Sequence, residues 1–166
     1  MNRHEEWLFG ALQVGSPGRR HPAWRRTRYE FILEYGWWYE PAELPGYLEM
    51  GPEGECFSNS FGLALDDDRL IYVEGLVAGR RGGIPVHHAW LTDGTGRAID
   101  CTLREPGAAY AGVPFGTSFL NLYCLEHEGV ICMLDDWQHD WPMLCELGDR
   151  PEEWLEEQGK GMLNLT

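Results

Sequence analysis

The 166-residue chain reads as one α+β domain, in which a helix opening at Cys56 packs on an antiparallel β-sheet. Three observations point there: an apolar helical pattern starting at a cysteine, β-branched and aromatic segments joined by glycine-rich turns, and a length suited to one core. A hydrophobic fraction of 43% with 8 Trp, 7 Tyr and 6 Phe supplies the apolar area that offsets ordering entropy, which disordered chains lack.

Taken in chain order, HPAWRRTRYEFILEY (21–35) predicts a helix, with Pro22 in its first turn, Trp24, Tyr29, Phe31 and Ile32 toward the core, and Gly36 as its stop. The next stretch, 36–54, is rich in Gly, Pro and aromatics and predicts an irregular, aromatic-packed connection. In CFSNSFGLAL (56–65), Phe57, Phe61, Ala64 and Leu65 recur at helical spacing, and three aspartates follow as a stop. Strands are expected at 69–78, 86–92 and 97–103, with DGTG (93–96) as the tight turn between the last two, so that the centre is a helix followed by an antiparallel meander. Beyond it the sequence predicts a turn-rich segment over 104–116, a capped helix over 117–129, a strand over 130–134 and a terminal helix over 151–159. The N- and C-terminal helices should flank the sheet.

Charge and composition narrow the function classes. A formal net charge of -14 repels phosphate backbones, with only the arginines at 19–28 to oppose it, so nucleic acid is an unexpected partner. No apolar run approaches the roughly 18 residues of a membrane span, and the acidic N-terminus is unlike a signal peptide, so a cytoplasmic protein without a membrane partner is expected. Five cysteines, none in a C-x-x-C pair, fit neither a zinc ribbon nor a closed disulfide framework. No cofactor and no metal is expected; His127, His139, Asp135 and Asp136 lack a ligand spacing and read as a solvated acidic surface.

A cysteine becomes a strong nucleophile as the thiolate, which a helix N-terminus and a neighbouring imidazole both favour. Cys56 has the first by position. The hairpin after it can supply the second. If the turn uses Gly94, Thr95 and Gly96, with Gly96 in the left-handed position, Asp93 pairs with Arg97 and Trp90 with Asp100, and His88 lies diagonally beside Asp100 on one face. His88, Trp90, Asp100 and Thr102 then share that face, and Ala89, Leu91, Ile99 and Cys101 form an apolar set on the other. A two-residue turn would bring His87 to Asp100 instead. The agreement of glycine placement with the apolar partition selects His88.

The segments GECFSNSFGLAL and HHAWLTDGTGRAIDCT resemble the transglutaminase-like core of the papain-related cysteine enzyme superfamily, where a Gly-x-Cys opens a helix, a His-x-Trp lies on a following strand and an Asp on the next. The match covers residues 54–103; Cys101 stands where a Pro often follows the Asp, and the loop between Val73 and Val86 is short. The resemblance implies a Cys56 nucleophile, a His88 base and an orienting Asp100. The reaction would be acyl transfer or amide hydrolysis on a protein, peptide or small amide. For the oxyanion the expected donors are the Cys56 N–H and a side chain such as Asn59 or the Trp37 indole. Trp37, Trp38 and Trp90 are the aromatic residues expected near substrate. The alternative is a non-enzymatic module whose acidic, Trp-rich surface binds a basic protein on a papain-like scaffold.

Overall fold

A computed structural model describes residues 1–15, 21–129, 132–156 and 163. Over these residues the chain is a mixed α+β domain built on five strands that close into a barrel. In chain order these are β1 (Trp37–Ala42), β2 (Ile71–Ala78), β3 (Val86–Thr92), β4 (Arg97–Ile99) and β5 (Ala109–Phe115). Around the barrel the order is β1-β4-β3-β2-β5, and β5 returns to β1. Among the described residues, four longer helices accompany it: α1 (Arg3–Val14), α2 (Arg28–Tyr35), α3 (Cys56–Asp66) and α4 (Thr117–Glu126). The short α5 (Pro151–Trp154) follows three single turns of 3₁₀ helix.

The sheet differs from the expected meander in two strands. Residues 37–42, expected as an irregular connection, form β1, which pairs parallel with β4 and antiparallel with β5. The supposed turn-rich segment contains β5, a strand buried along its whole length between β2 and β1. Pro114, Gly112 and the small alanines disguise it as a loop. Burial on both faces removes the alternation by which a half-exposed strand is recognised.

Closure gives the sheet two interiors. Trp37, Tyr39, Val73, Val77, Trp90, Ala98 and Tyr110 pack together inside the barrel. The other face, including Tyr72, Leu76, Ala89, Leu91, Ile99, Ala111 and Val113, joins Leu8, Phe31, Ile32, Phe61, Ala64 and Leu120 of the helices in the main core. Bulky indoles fit the lumen because glycines face them. Gly75 and Gly112 are register partners between β2 and β5, and a Cβ on Gly112 would lie 2.5 Å from the Trp90 ring.

Local chemistry sets the helix boundaries. Thr27 caps α2 through a reciprocal box in which its hydroxyl accepts from the Glu30 N–H and the Glu30 carboxylate accepts from the Thr27 N–H. The helix therefore starts at Arg28 rather than near Pro22, and residues 21–26 form turns. Asn2 and Glu5 build the same box at the start of α1. The expected helix over 151–159 is one turn, Pro151–Trp154, with residues 157–159 outside those described. Likewise α4 ends at Glu126, before Gly129. For the strand expected at 130–134, Val130 and Ile131 lie outside the described residues, and Met133 and Leu134 donate their N–H groups to the Glu74 carboxylate instead of to a neighbouring strand.

Candidate active site

The hairpin between β3 and β4 fixes the geometry of the site. Leu91 pairs with Ile99, the register in which the turn uses Gly94, Thr95 and Gly96, and Gly96 takes the left-handed conformation at φ 81°. Asp93 supports that turn, its carboxylate accepting from the Thr95 N–H at 3.2 Å and pairing with Arg97. Ala89, Leu91, Ile99 and Cys101 accordingly enter the main core while Trp90 enters the lumen.

β4 is shorter than the expected 97–103 because Asp100 ends it. One carboxylate oxygen, Oδ1, accepts from the N–H groups of Thr102 and Leu103, both at 2.9 Å, which turns the chain out of the sheet. The other oxygen, Oδ2, receives Nε2 of His88 at 2.8 Å and the Tyr110 hydroxyl at 2.9 Å. Tyr110 is itself held by the Gly107 N–H at 2.7 Å. Asp100 thus accepts four hydrogen bonds while 3% exposed, so its orientation leaves little freedom.

Nε2 of His88 is committed to Asp100, so Nδ1 is the ring nitrogen left for a second partner; Cys56 is close enough to act on the imidazole and lines the same cleft. Burial disfavours a charged His88, but the Asp100 carboxylate that accepts its Nε2–H and the neighbouring Cys56 sulfur outweigh it, and its pKa is pushed up from 6.5 to about 9. For Asp100, burial acts upward and the His88 hydrogen bond, the His88 charge and the Leu103 and Thr102 N–H groups act downward. The downward effects win, and the carboxyl stays below its ordinary 3.8. Behind the imidazole the Trp90 indole is nearly parallel, at 19° and 6.5 Å between centroids.

Cys56 stands at the first residue of α3, which no side chain caps. It and His88 open onto a cleft of about 180 Å³ that Glu53, Gly54, Thr102, Leu103 and Arg104 complete. Cys56 and His88, expected together from the sequence, therefore share one cleft, and Asp100 holds the His88 ring through Nε2.

The other expected site residues are elsewhere. Asn59 Nδ2 donates to the Pro52 carbonyl and to Thr102 Oγ1, both at 2.9 Å, so both of its amide hydrogens are engaged and it staples α3 to the loops beneath the cleft. It is not available to an oxyanion. Trp37 and Trp90 are buried in the lumen, and Trp38 packs on the outer core; none of the three lines the cleft. Trp37 and Trp90 fill the barrel instead.

Sequence reasoning missed Tyr110, because the strand that carries it went unrecognised. It also missed a second polar cluster on the far side of β3, where Glu74, His87 and Cys132 converge. The expected solvated acidic surface at 135–139 needs correction at one residue. Asp136 is buried and accepts from the Tyr123 hydroxyl at 2.7 Å, with His139 Nδ1 at 2.8 Å from its other oxygen.

Compared with known proteins, the chain matches no family model, no curated protein and no solved structure. Among the described residues no helix is long and apolar enough to cross a membrane.

Proposed function

We propose that the protein is a cysteine-dependent acyl-transfer enzyme or amide hydrolase, with Cys56 as nucleophile, His88 as acid and base, and Asp100 as the residue that orients and stabilises His88. One observation supports the reading: a buried imidazole, hydrogen-bonded to a buried carboxylate, shares an open cleft with a thiol at a helix start. Structural thiols and histidines do not need that order of partners.

The steps follow from the two nitrogens. Nδ1 of His88 takes the Cys56 proton, and the resulting imidazolium is held by Asp100. The thiolate attacks the carbonyl carbon of an amide or ester, and the oxyanion that forms lies near the start of α3, where backbone N–H groups and the helix dipole favour negative charge. The imidazolium then gives its proton to the leaving amine or alcohol as the bond to the carbonyl carbon breaks, leaving a thioester. Water or an amine, deprotonated by the now neutral His88, attacks the thioester and releases Cys56. A cleft of about 180 Å³ is smaller than the roughly 300 Å³ at which pockets for whole drug-sized ligands begin. It suits one side chain or one amide of a longer substrate, with Glu53 and Arg104 at its rim to meet polar groups beside it.

Iodoacetamide labelling near neutral pH, read by peptide mass for all five cysteines, tests the proposal. Cys56 should label much faster than Cys124 and Cys145, although both of these are more exposed, and His88→Ala should remove the advantage. Equal labelling of Cys56 and the half-buried cysteines would refute an activated nucleophile and leave the protein-binding reading.

A further inference from the structure

On the face of β3 opposite His88, three groups of different chemistry converge on one oxygen. His87 Nε2 and Cys132 Sγ each lie 3.0 Å from Oε1 of Glu74, and all three ligand-type atoms fall within 4.8 Å of one another. Glu74 is wholly buried and rigidly placed: Oε1 also accepts from the Leu134 N–H at 2.8 Å, and Oε2 accepts from the Met133 N–H at 2.7 Å and the Tyr72 hydroxyl at 2.9 Å. Beside the cluster a second cleft, of about 240 Å³, is lined by His87, Cys132, Phe57, Asp135, Asp136 and Trp137. This arrangement takes no part in the chemistry proposed at Cys56.

We propose that Glu74, His87 and Cys132 form a binding site for a borderline-soft divalent cation of the zinc class, with a fourth position open to that cleft. The donor set of one imidazole, one thiol and one carboxylate is that of such ions. Hard cations avoid sulfur, and copper(I) sites favour more of it. Three protein ligands with an open fourth position is the arrangement of zinc sites that bind a water or a substrate group. The chain-distant origin of the ligands, on β2, on β3 and at Cys132, means that the ion would tie the 132–134 segment to the barrel wall.

The proton balance is definite. Arg28 has only hydrogens to offer and lies 3.1 Å from Nδ1 of His87, so that nitrogen is the acceptor and the proton is on Nε2, facing Glu74. A cation bonded at Nε2 requires the proton to move to Nδ1, and Arg28 must then turn to Asp135, whose Oδ2 lies 3.6 Å from its Nη1. Cys132 loses its thiol proton to solvent. Binding one ion therefore releases about one proton near neutral pH. Arg28 opposes binding by holding the wrong tautomer, and removing it should tighten the site by about tenfold, the equivalent of one hydrogen bond.

Cobalt(II) is the probe, because a bound thiolate gives it a charge-transfer absorption. Reduced, chelator-treated protein titrated with cobalt chloride should develop that band at one ion per chain and release about one proton. Cys56→Ser should keep the band, Cys132→Ser should lose it, and Arg28→Ala should shift the titration to lower cobalt. Zinc added to the cobalt-loaded, unaltered protein should bleach the band at one ion per chain, an arm that does not depend on any variant folding. Absence of a saturable thiolate band in the unaltered protein would overturn the proposal, as would a band that zinc does not displace or one that disappears in Cys56→Ser.

Discussion

His87 and His88 are adjacent in the chain yet belong to different networks: His88 Nε2 is 2.8 Å from Asp100 and His87 Nε2 is 3.0 Å from Glu74. The pleat of β3 separates them, sending alternate side chains to opposite faces of the barrel wall. Each histidine meets a buried carboxylate and a cysteine, Cys56 on one side and Cys132 on the other. Desolvation and the Glu74 charge push the Cys132 thiol far above its ordinary 9.0, so without a cation it is a protonated donor and not a nucleophile. A slip of one residue in the β3 register would exchange the two histidines, so the turn at Gly94 to Gly96 decides which one faces Cys56.

Cys56→Ser should abolish thiol-dependent turnover while lowering stability by about 1 kcal/mol or less, because serine keeps the size and a hydrogen-bonding group at the helix start. Cys101→Ala removes a fully buried sulfur from the main core and should do the reverse, lowering the thermal midpoint and sparing activity. Activity assays and thermal melts of the two variants, made in parallel, check the assignment; loss of turnover in both would count against Cys56 as the sole nucleophile.

The legible part of the site was the part written in short range. The spacing of Phe57, Phe61 and Ala64 gave α3, and the glycines of the turn with the apolar partition gave the β3–β4 register that brings His88 to Asp100. What long-range closure decides stayed hidden. β5 does not alternate in hydrophobicity because both of its faces are buried, and β1 carries Pro41 and pairs parallel with β4 across some fifty residues of sequence. Missing β5 meant missing Tyr110. Asn59, Trp37 and Trp90 were read as site residues because polar and aromatic side chains near a thiol invite that reading, whereas the barrel uses them as staple and filling.

Glu74→Gln should destabilise the fold by about 3–5 kcal/mol, the range for breaking a buried charged network, since an amide NH₂ would face donors where the carboxylate accepts. The pH dependence should change with it. Burial pushes the Glu74 carboxyl up, but the His87 imidazole beside it and the hydrogen bonds from Cys132 and the Leu134 N–H hold it below its ordinary 4.5. Its contribution is therefore present above pH 4.5 and lost as pH falls through the lowered value. Denaturant unfolding between pH 7 and pH 3 should show a steeper loss of stability in the unaltered protein than in the variant; parallel curves would show that Glu74 does not anchor the 132–134 segment.

Gly112→Ala tests the packing of the lumen. The added methyl would meet the Trp90 ring at 2.5 Å and the Glu74 carbonyl at 2.8 Å, neither of which is the free end of a flexible chain. Overpacking of this kind costs about 1–3 kcal/mol. Because Trp90 stacks on His88, the displacement should also slow Cys56 alkylation. A variant as stable as the unaltered protein, with unchanged alkylation, would mean that the lumen has slack.

Tyr110→Phe removes the hydroxyl that donates to Asp100 and accepts from the Gly107 N–H. The amide loses its buried acceptor, which should cost about 1–3 kcal/mol. Turnover should fall less than in Asp100→Asn, because the His88 bond to Asp100 and the Thr102 and Leu103 N–H groups remain. If the two variants lose the same activity, Tyr110 is required for the position of Asp100 and not only for its environment.

The pH profile and Asp100→Asn together test the proposed division of labour. With its pKa raised from 6.5 to about 9, His88 stays an imidazolium over the neutral range, so a step that needs its proton should weaken as pH rises through about 9. Alkylation of Cys56 needs no leaving-group proton and should show no such descending limb. The same shift makes His88 a source of stability that is fully present below pH 6.5 and lost as pH rises through about 9. In Asp100→Asn the amide can present its NH₂ to Nε2, which sets the wrong tautomer and removes the charge that holds the imidazolium. Turnover should fall by more than tenfold, yet by less than the roughly 10⁴ seen when the nucleophile is a serine, since a thiol needs less help to ionise. The descending limb should move to lower pH by an amount that reports the Asp100 contribution. A variant that turns over amide substrate at the original rate, with its descending limb still near pH 9, would remove Asp100 from the mechanism and leave a Cys56–His88 pair.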